Sequence, residues 1–499
     1  VTDNPAASRK PQLRKDFRRT IAGIRGVSAE RCAKERVKPM TDDACGELEI
    51  LVPQLPAAGR QKILRRTGLW MAVGMLWVAL ACNLPEAVRT AWETENPSAT
   101  GKATPSATRP LPTGTPTPFP SYENSLCGGK PTTVAVLADP ALAFAVRSGL
   151  DQFEFDLCAA GYGVVERTLD FAAPPDVRSY LADLHRRMDR KLEGAIFIGR
   201  VPLAYQYVAF NSGNPGVKTG PEEAISFQYY SDLDGEFSQS AEHRSPGGHE
   251  YSYDQHTGEV DWEIWTAILP VYRDDEEQTI GDLKRYFEKN HRYRSGGYSL
   301  PQGFLMVTEH YTAETAAEQT NFLNALRTGD YAWTPLSTAA NAQFYFDGPT
   351  VSVSDGYAAL SAGAADITVV EAHGDYEMSG RIHIPWVETN PVRTVLFWTG
   401  GCSVGNLDHP ENFLTAIVYS PTSEVLAASG STNDSGGLGT NREGFYGHNI
   451  AALLAAGQNL GQAVLGHMNV PLVSPWDKSF EYHHALLILI GDPTLRLRE

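Results

Sequence analysis

Ile367-Thr-Val-Val-Glu-Ala-His373-Gly374-Asp375 and Thr394-Val-Leu-Phe-Trp-Thr-Gly-Gly401-Cys402-Ser403 are built alike. Each is a largely apolar run that stops at glycine beside a side chain capable of chemistry. Runs without strict polar alternation are the mark of strands buried on both faces, as in parallel sheets. Working outward, strand candidates of the same kind are Thr133–Asp139, Gly194–Gly199, Gly303–Glu309, Ala342–Phe346, Val425–Ala428 and Ala485–Ile490. Helical periodicity falls between them, over Val177–Leu192, Ile280–Asn290, Ala313–Leu326, Glu411–Val418 and Asn449–His467. Strands alternating with helices predict an α/β fold, a parallel-sheet sandwich with helices on both faces. Two related units are expected, 128–275 and 276–499. The stretch 211–262, rich in Gly, Ser, Asp and Tyr, reads as long surface loops.

Reactive groups in open α/β sheets gather beyond the carboxyl ends of strands. His373 and Cys402 both stand there, and neighbouring strands would bring imidazole and thiol to one edge. A Cys–His pair suits acyl transfer: the thiolate attacks a carbonyl and the imidazole moves the proton. Gly374 does not crowd such a site. Its amide and that of Cys402 are the candidate oxyanion donors, each worth about 3 kcal/mol in comparable sites. Taken singly the two signals are weak, since a buried Cys is usually a small apolar filler.

Three other readings compete. Gly401-Cys402-Ser403-Val404-Gly405 matches the G-x-S-x-G elbow of serine hydrolases. An elbow serine opens directly into a helix, however, whereas Asn406–Pro410 intervenes and Pro410 suits a helix beginning at Glu411. Metal-dependent hydrolysis through His373, Asp375, His383 or the His483–His484 pair lacks an H-E-x-x-H spacing, and adjacent histidines on a strand face opposite ways. A binding module with a silent Cys–His pair is the third. The aromatic groups Phe227–Tyr230 and Trp262–Trp265 fit either a peptide cleft or a core.

The order strand–His373–Gly374, strand–Gly401–Cys402 resembles the clan of caspases, legumains, clostripain and gingipains. Gly-Ala-Ile-Phe-Ile-Gly-Arg-Val-Pro (194–202), Asp-Leu-Lys-Arg-Tyr-Phe-Glu-Lys-Asn-His-Arg-Tyr-Arg-Ser-Gly (282–296) and the closing Leu-Ile-Gly-Asp-Pro-Thr-Leu-Arg-Leu-Arg (489–498) are similar to the gingipain branch, peptidase family C25. Val-Leu-Ala-Ala-Ser-Gly-Ser-Thr (425–432) is similar to the strand and turn after that family's nucleophile helix. The resemblance covers about residues 130–499. It implies caspase-like subdomains and a dyad with Cys402 as nucleophile and His373 as its histidine. It also implies action on polypeptides outside the cytoplasm and, in some members, bound calcium, with no cofactor required for the chemistry. The best-known members cleave after Arg or Lys with the help of an acidic pocket residue; Asp232, Asp234 and Glu263 are acidic residues in loops of the right kind.

The remainder of the chain speaks to location. Net charge is −17 over 499 residues, yet residues 1–66 hold 15 Lys/Arg against 8 Asp/Glu, leaving about 24 surplus negative charges in the rest. So acidic a body has no footprint for a phosphate backbone, and nucleic acid is not an expected partner. Residues 61–82 pair a positive flank, Arg65–Arg66, with an uncharged core and Ala79-Leu80-Ala81 before Cys82. That layout is a signal peptide and resembles a bacterial lipoprotein signal, in which Cys82 would be lipidated and anchor the protein to the cell envelope. Residues 1–60 read as a poorly structured extension or a start assigned too far upstream. Residues 83–127 read as a linker, with seven Pro and six Thr between 97 and 120. Of six cysteines none forms C-x-x-C, and an oxidising compartment would allow Cys127 and Cys158 to pair.

Overall fold

A computed structural model describes residues 123–209, 221–243, 245–328, 336, 341–433, 447–469 and 486–496. Residues 1–60, the signal-like segment with Cys82, the Pro/Thr-rich spacer and the His483–His484 pair lie outside the described residues. Among those described, no helix is long and apolar enough to cross a membrane.

Eleven strands share one sheet. In chain order they are β1 Glu123–Leu126, β2 Thr132–Ala138, β3 Tyr162–Thr168, β4 Leu192–Ile198, β5 Trp265–Leu269, β6 Phe304–Thr312, β7 Ala342–Asp347, β8 Ile367–Glu371, β9 Leu396–Thr399, β10 Ala427–Ser431 and β11 Leu487–Gly491. Across the sheet the order is β1-β3-β2-β4-β5-β11-β10-β9-β8-β6-β7. Every residue of β5, β8, β9, β10 and β11 is buried, so these strands are covered on both faces, as their apolar runs require.

Strand direction sorts the sheet into two groups. Neighbours within β3-β2-β4-β5-β11 are parallel, and so are neighbours within β10-β9-β8-β6-β7. The two groups meet at β10 and β11, which pair antiparallel from Ala427↔Gly491 to Ser431↔Leu487. The carboxyl ends of β6, β8, β9 and β10 therefore emerge along one edge, opposite those of the first group. The expected boundary near 275 falls between β5 and helix α1, Glu276–Arg294. The last strand, β11, returns to lie beside β5 of the first half.

Helix α1 ties the groups together from outside the sheet. Asp275 caps its first turn by accepting from the Gln278 amide. Near its end, Asn290 and Arg294 both donate to the buried Asp492 carboxylate, which also accepts from the amide and hydroxyl of Thr494. Tyr286 donates to the Leu426 carbonyl at 2.9 Å, and the Lys289 ammonium to the carbonyls of Val418 and Ser423. A buried carboxylate is tolerable only when satisfied in this way. Two of the stretches that carry the family resemblance, 282–296 and the Gly-Asp-Pro-Thr run, are thus halves of one buried junction.

Strand β3 has no counterpart among the apolar runs because Glu166 and Arg167 interrupt it. Glu166 is nevertheless buried, since Arg147 donates to it. Among its described residues, the stretch 211–262, expected to be surface loops, contains short strands. Pro221–Ile225 pairs antiparallel with Tyr205–Ala209, to which Ser252–Tyr253 adds in parallel, and Glu236–Ser238 pairs with Gln255–Thr257. Phe227 and Tyr230 are buried against Phe197 of β4, and Trp262 and Trp265 are buried too. These aromatics belong to the core.

Cys127 and Cys158 form a disulfide across 31 residues, joining the loop after β1 to the helix Arg147–Ala159. Replacing both by Ala should lower stability by about 3–4 kcal/mol on the loop-closure estimate. A shift of the urea midpoint reads this out; a midpoint unchanged on replacement would show that the bridge does not hold this edge.

Candidate active site

The register of three parallel strands builds the site. Thr308 of β6 lies opposite Glu371 of β8, and Val370 of β8 opposite Thr399 of β9. His310, His373 and Cys402 follow within three positions of those last pairs. The chain beyond β8 then folds into a small antiparallel sheet, Gly374–Asp375, Met378–Ser379 and Ile382–His383. Its turn is fixed at several points. The Gly380 amide donates to the His373 carbonyl at 2.6 Å, and the Ser379 hydroxyl bonds the Thr399 hydroxyl at 2.6 Å. Glu309 accepts from the Arg381 amide and the Tyr357 hydroxyl.

His373-Gly374 and Gly401-Cys402 touch through their backbones. A Cβ at Gly374 would lie 2.8 Å from the Gly401 Cα and 2.9 Å from the Met378 carbonyl oxygen. A Cβ at Gly401 would lie 3.2 Å from the Gly374 Cα. Both would also press on Val404, whose Cγ1 lies 2.9 and 2.8 Å from those two positions. Val404 is fully buried and wedges under the contact. Glycine is required here for close approach, and the approach is what sets the imidazole-bearing residue beside the thiol-bearing one. His373 is exposed, and Cys402 is half-buried and in no disulfide.

The turn after β9 is held from both sides. The Gly401 amide donates to the Thr399 hydroxyl at 3.1 Å, and the Ser403 amide to the Asn433 carbonyl at 2.7 Å. Ser403 has φ 57°, uncommon for a side-chain-bearing residue. No helix opens at Ser403: the next one is Phe413–Tyr419, where Asn412 caps by accepting from the Thr415 amide. The intervening loop is clamped by the Phe413 amide on the Tyr376 carbonyl, by Tyr376 stacked on His409 at 3.7 Å, and by Tyr205 donating to Asp408 at 2.6 Å. Through Tyr205, and through Thr432 and Asn433 bonded to the carbonyls of Ile225 and Glu223, the strands Tyr205–Ala209 and Pro221–Ile225 of the first half reach this edge.

The solved structures give this fold a counterpart. The crystal structure of the Arg-specific cysteine proteinase gingipain R superposes with a TM-score of 0.51 at 14% identity, over 74% of this chain and 78% of that one. A complex of Porphyromonas gingivalis RgpB pro- and mature domains superposes at 0.50 and 13% identity, over 73% and 80%. The fold is that of the gingipains. No family model matches the sequence, and no curated protein does. At this identity the likeness reaches the gingipain fold and no further.

Within that gingipain-like frame the other acidic candidates lie in the insert. Asp232, Asp234 and Glu263 place one carboxylate oxygen each within 4.8 Å of one another, a donor set of the kind that hard cations take. Asp232 is already engaged by His256 Nε2 at 2.7 Å and the Gly235 amide at 2.6 Å, with Arg178 near. Burial pushes the Glu263 carboxyl up to about 7, with the charges of Asp234 and Asp232 adding to it and the Leu233 amide opposing. Asp375 and His383 are exposed and lie on the small antiparallel sheet after His373.

One neighbour escaped the sequence reading. The ring of His310, just past the apolar part of β6, stands edge-on to that of His373, centroids 4.8 Å apart and planes at 85°. The signal was present, since Val307-Thr-Glu-His310 ends its strand as Val370-Glu-Ala-His373 ends the next.

If the glycine contact sets the thiol's position, Gly401→Ala should slow alkylation of Cys402 by iodoacetamide roughly tenfold or more at neutral pH. Labelling at the native rate would show that the thiol is placed by something else.

Proposed function

We propose that this chain is a cysteine endopeptidase in which Cys402 is the nucleophile and His373 the general acid–base. The observation that supports the reading is the close backbone approach of Gly374 and Gly401, the chain neighbours of those two residues. Polypeptides are the proposed substrates. The Cys402 thiolate attacks the scissile carbonyl carbon, a C–S bond forms, and the carbonyl electrons move to oxygen. The amides of Gly374 and Cys402 are the donors proposed for that oxyanion. His373 gives its proton to the leaving amine as the C–N bond breaks. It then takes one from water, which attacks the thioester and frees Cys402. None of these steps calls on a cofactor. Calcium, where bound, would be structural, with Asp234 and Glu263 as the freer ligands and Asp232 the most committed elsewhere.

Two further readings keep a specific footing. The positive φ of Ser403 suits a nucleophile elbow, and a module with a silent site would keep the same fold. Substitution separates all three. Cys402→Ala should abolish hydrolysis of a peptide library, His373→Ala should lower turnover by about 10²–10⁴, and Ser403→Ala should keep most of it. Loss in Ser403→Ala alone favours the esterase; full activity in Cys402→Ala sinks the cysteine mechanism; an inert native protein favours the silent module.

We place the enzyme outside the cytoplasm, on the signal-like segment 61–82 and the Cys127–Cys158 bridge, which suits an oxidising compartment. The proposed anchor is a lipid on Cys82, with a spacer that ends before β1 rather than at 127, because Glu123–Leu126 pairs with β3, and with 128–275 and 276–499 as two α/β subdomains. Intact mass of membrane-extracted protein should show an acylated N-terminal Cys82. A soluble form beginning at another residue would rule the anchor out.

A further inference from the structure

His310 is built into the edge as firmly as the dyad. Its amide donates to the Thr308 hydroxyl at 3.3 Å, and both sequence neighbours are fastened. Glu309 is held by Tyr357 and Arg381, and Tyr311 stacks on Phe322 at 3.6 Å. The His373 backbone is fixed by Gly380, but its ring has freedom about χ1 and χ2 that something must remove if it is to face Cys402 repeatedly. In other nucleophile–His sites a carboxylate does this by accepting the second ring N–H. Among the described residues no carboxylate is hydrogen-bonded to His373, and the carboxylate of neighbouring Glu309 is turned to Tyr357 and Arg381. The group that does meet the His373 ring is His310, in the edge-to-face geometry that aromatic rings prefer.

We propose that His310 is a positioning residue for His373: its ring, edge-on at the end of β6, fixes the plane in which the His373 imidazole meets Cys402. This rests on the Cys–His reading above. The charge state of His310 suits the task. Its ring is solvent-accessible, yet the protein around it, and secondarily His373, pull its pKa down to about 4. It is therefore neutral at the pH where His373 must take up a proton, and does not repel the imidazolium.

The experiment compares native protein, His373→Ala, His310→Ala and His310→Phe on a fluorogenic peptide library. Each is also tested for the alkylation rate of Cys402 by iodoacetamide, which needs no peptide substrate. His310→Ala should lose about 10–100-fold in kcat with KM nearly unchanged, the scale of a misplaced catalytic group, and its alkylation should slow toward that of His373→Ala. His310→Phe restores a ring without a titrating nitrogen and should recover both. Equal melting temperatures show that the loss is not unfolding. The proposal is overturned if His310→Ala behaves as native, or if His310→Phe is as impaired as Ala, since the nitrogen rather than the ring would then matter. When His373→Ala abolishes hydrolysis and slows alkylation while His310→Ala does neither, only the positioning role falls. When His373→Ala changes neither readout, the Cys–His reading itself fails and this inference with it.

Discussion

The site depends on the hydrogen-bond register of β6, β8 and β9. In a parallel ladder each strand's end is fixed relative to its neighbour's by every bond before it. Phe304, Ile367 and Leu396 start in line, and the pairing keeps the strands in step as far as Thr308↔Glu371 and Val370↔Thr399. A slip of one residue would turn each side chain to the other face of the sheet. The buried apolar runs forbid such a slip, so core packing sets the position of exposed, reactive groups. The chemistry at the edge is a consequence of the core beneath it.

Two glycines convert alignment into contact. Strands in a sheet lie close to 4.8 Å apart, and side chains at the strand ends would hold the following turns further off. At Gly374 and Gly401 nothing intervenes, and Val404 fills the space below. The small sheet after His373 and the clamped loop after Cys402 then hold the two turns from opposite sides. They are linked to each other where the Phe413 amide meets the Tyr376 carbonyl. Bonds from Tyr205, Thr432 and Asn433 bring in the first half of the chain, so the edge is made by both strand groups although His373 and Cys402 come from one.

The stretches by which the chain resembles a family divide by physical role. Residues 194–202 cover the end of β4 and the turn after it, and 425–432 is β10 with its lead-in. Residues 282–296 and the Gly-Asp-Pro-Thr run meet at the buried Asp492. All of these are structural: apolar strands between strands, or a carboxylate that must be satisfied out of water. A fold shared at 13–14% identity is intelligible on those terms, because burial and one ion-paired junction constrain few residue identities. The His373-Gly374 and Gly401-Cys402 pairs lie instead just past strand ends, where His373 is exposed and Cys402 half-buried.

Taken alone, the sequence determined what local pattern can determine. Apolar runs marked the buried strands, glycines beside His and Cys marked the strand ends, and Pro410 warned that no helix opens at Ser403. It missed β1, whose Glu123–Leu126 falls inside the expected linker, and β3, because Glu166 and Arg167 break the run and the partner Arg147 lies on another element. It read the 211–262 insert as surface, because small polar residues conceal short strands and the aromatics' partner, Phe197, lies on another element. It passed over His310, since one histidine after one strand has no meaning until the neighbouring strand is known. Strand order, the reversal between β10 and β11, and the approach of His310 to His373 and of Gly374 to Gly401 were decided by tertiary structure alone. Each depends on hydrogen bonds and packing between residues far apart in the chain, and no local pattern encodes those pairings.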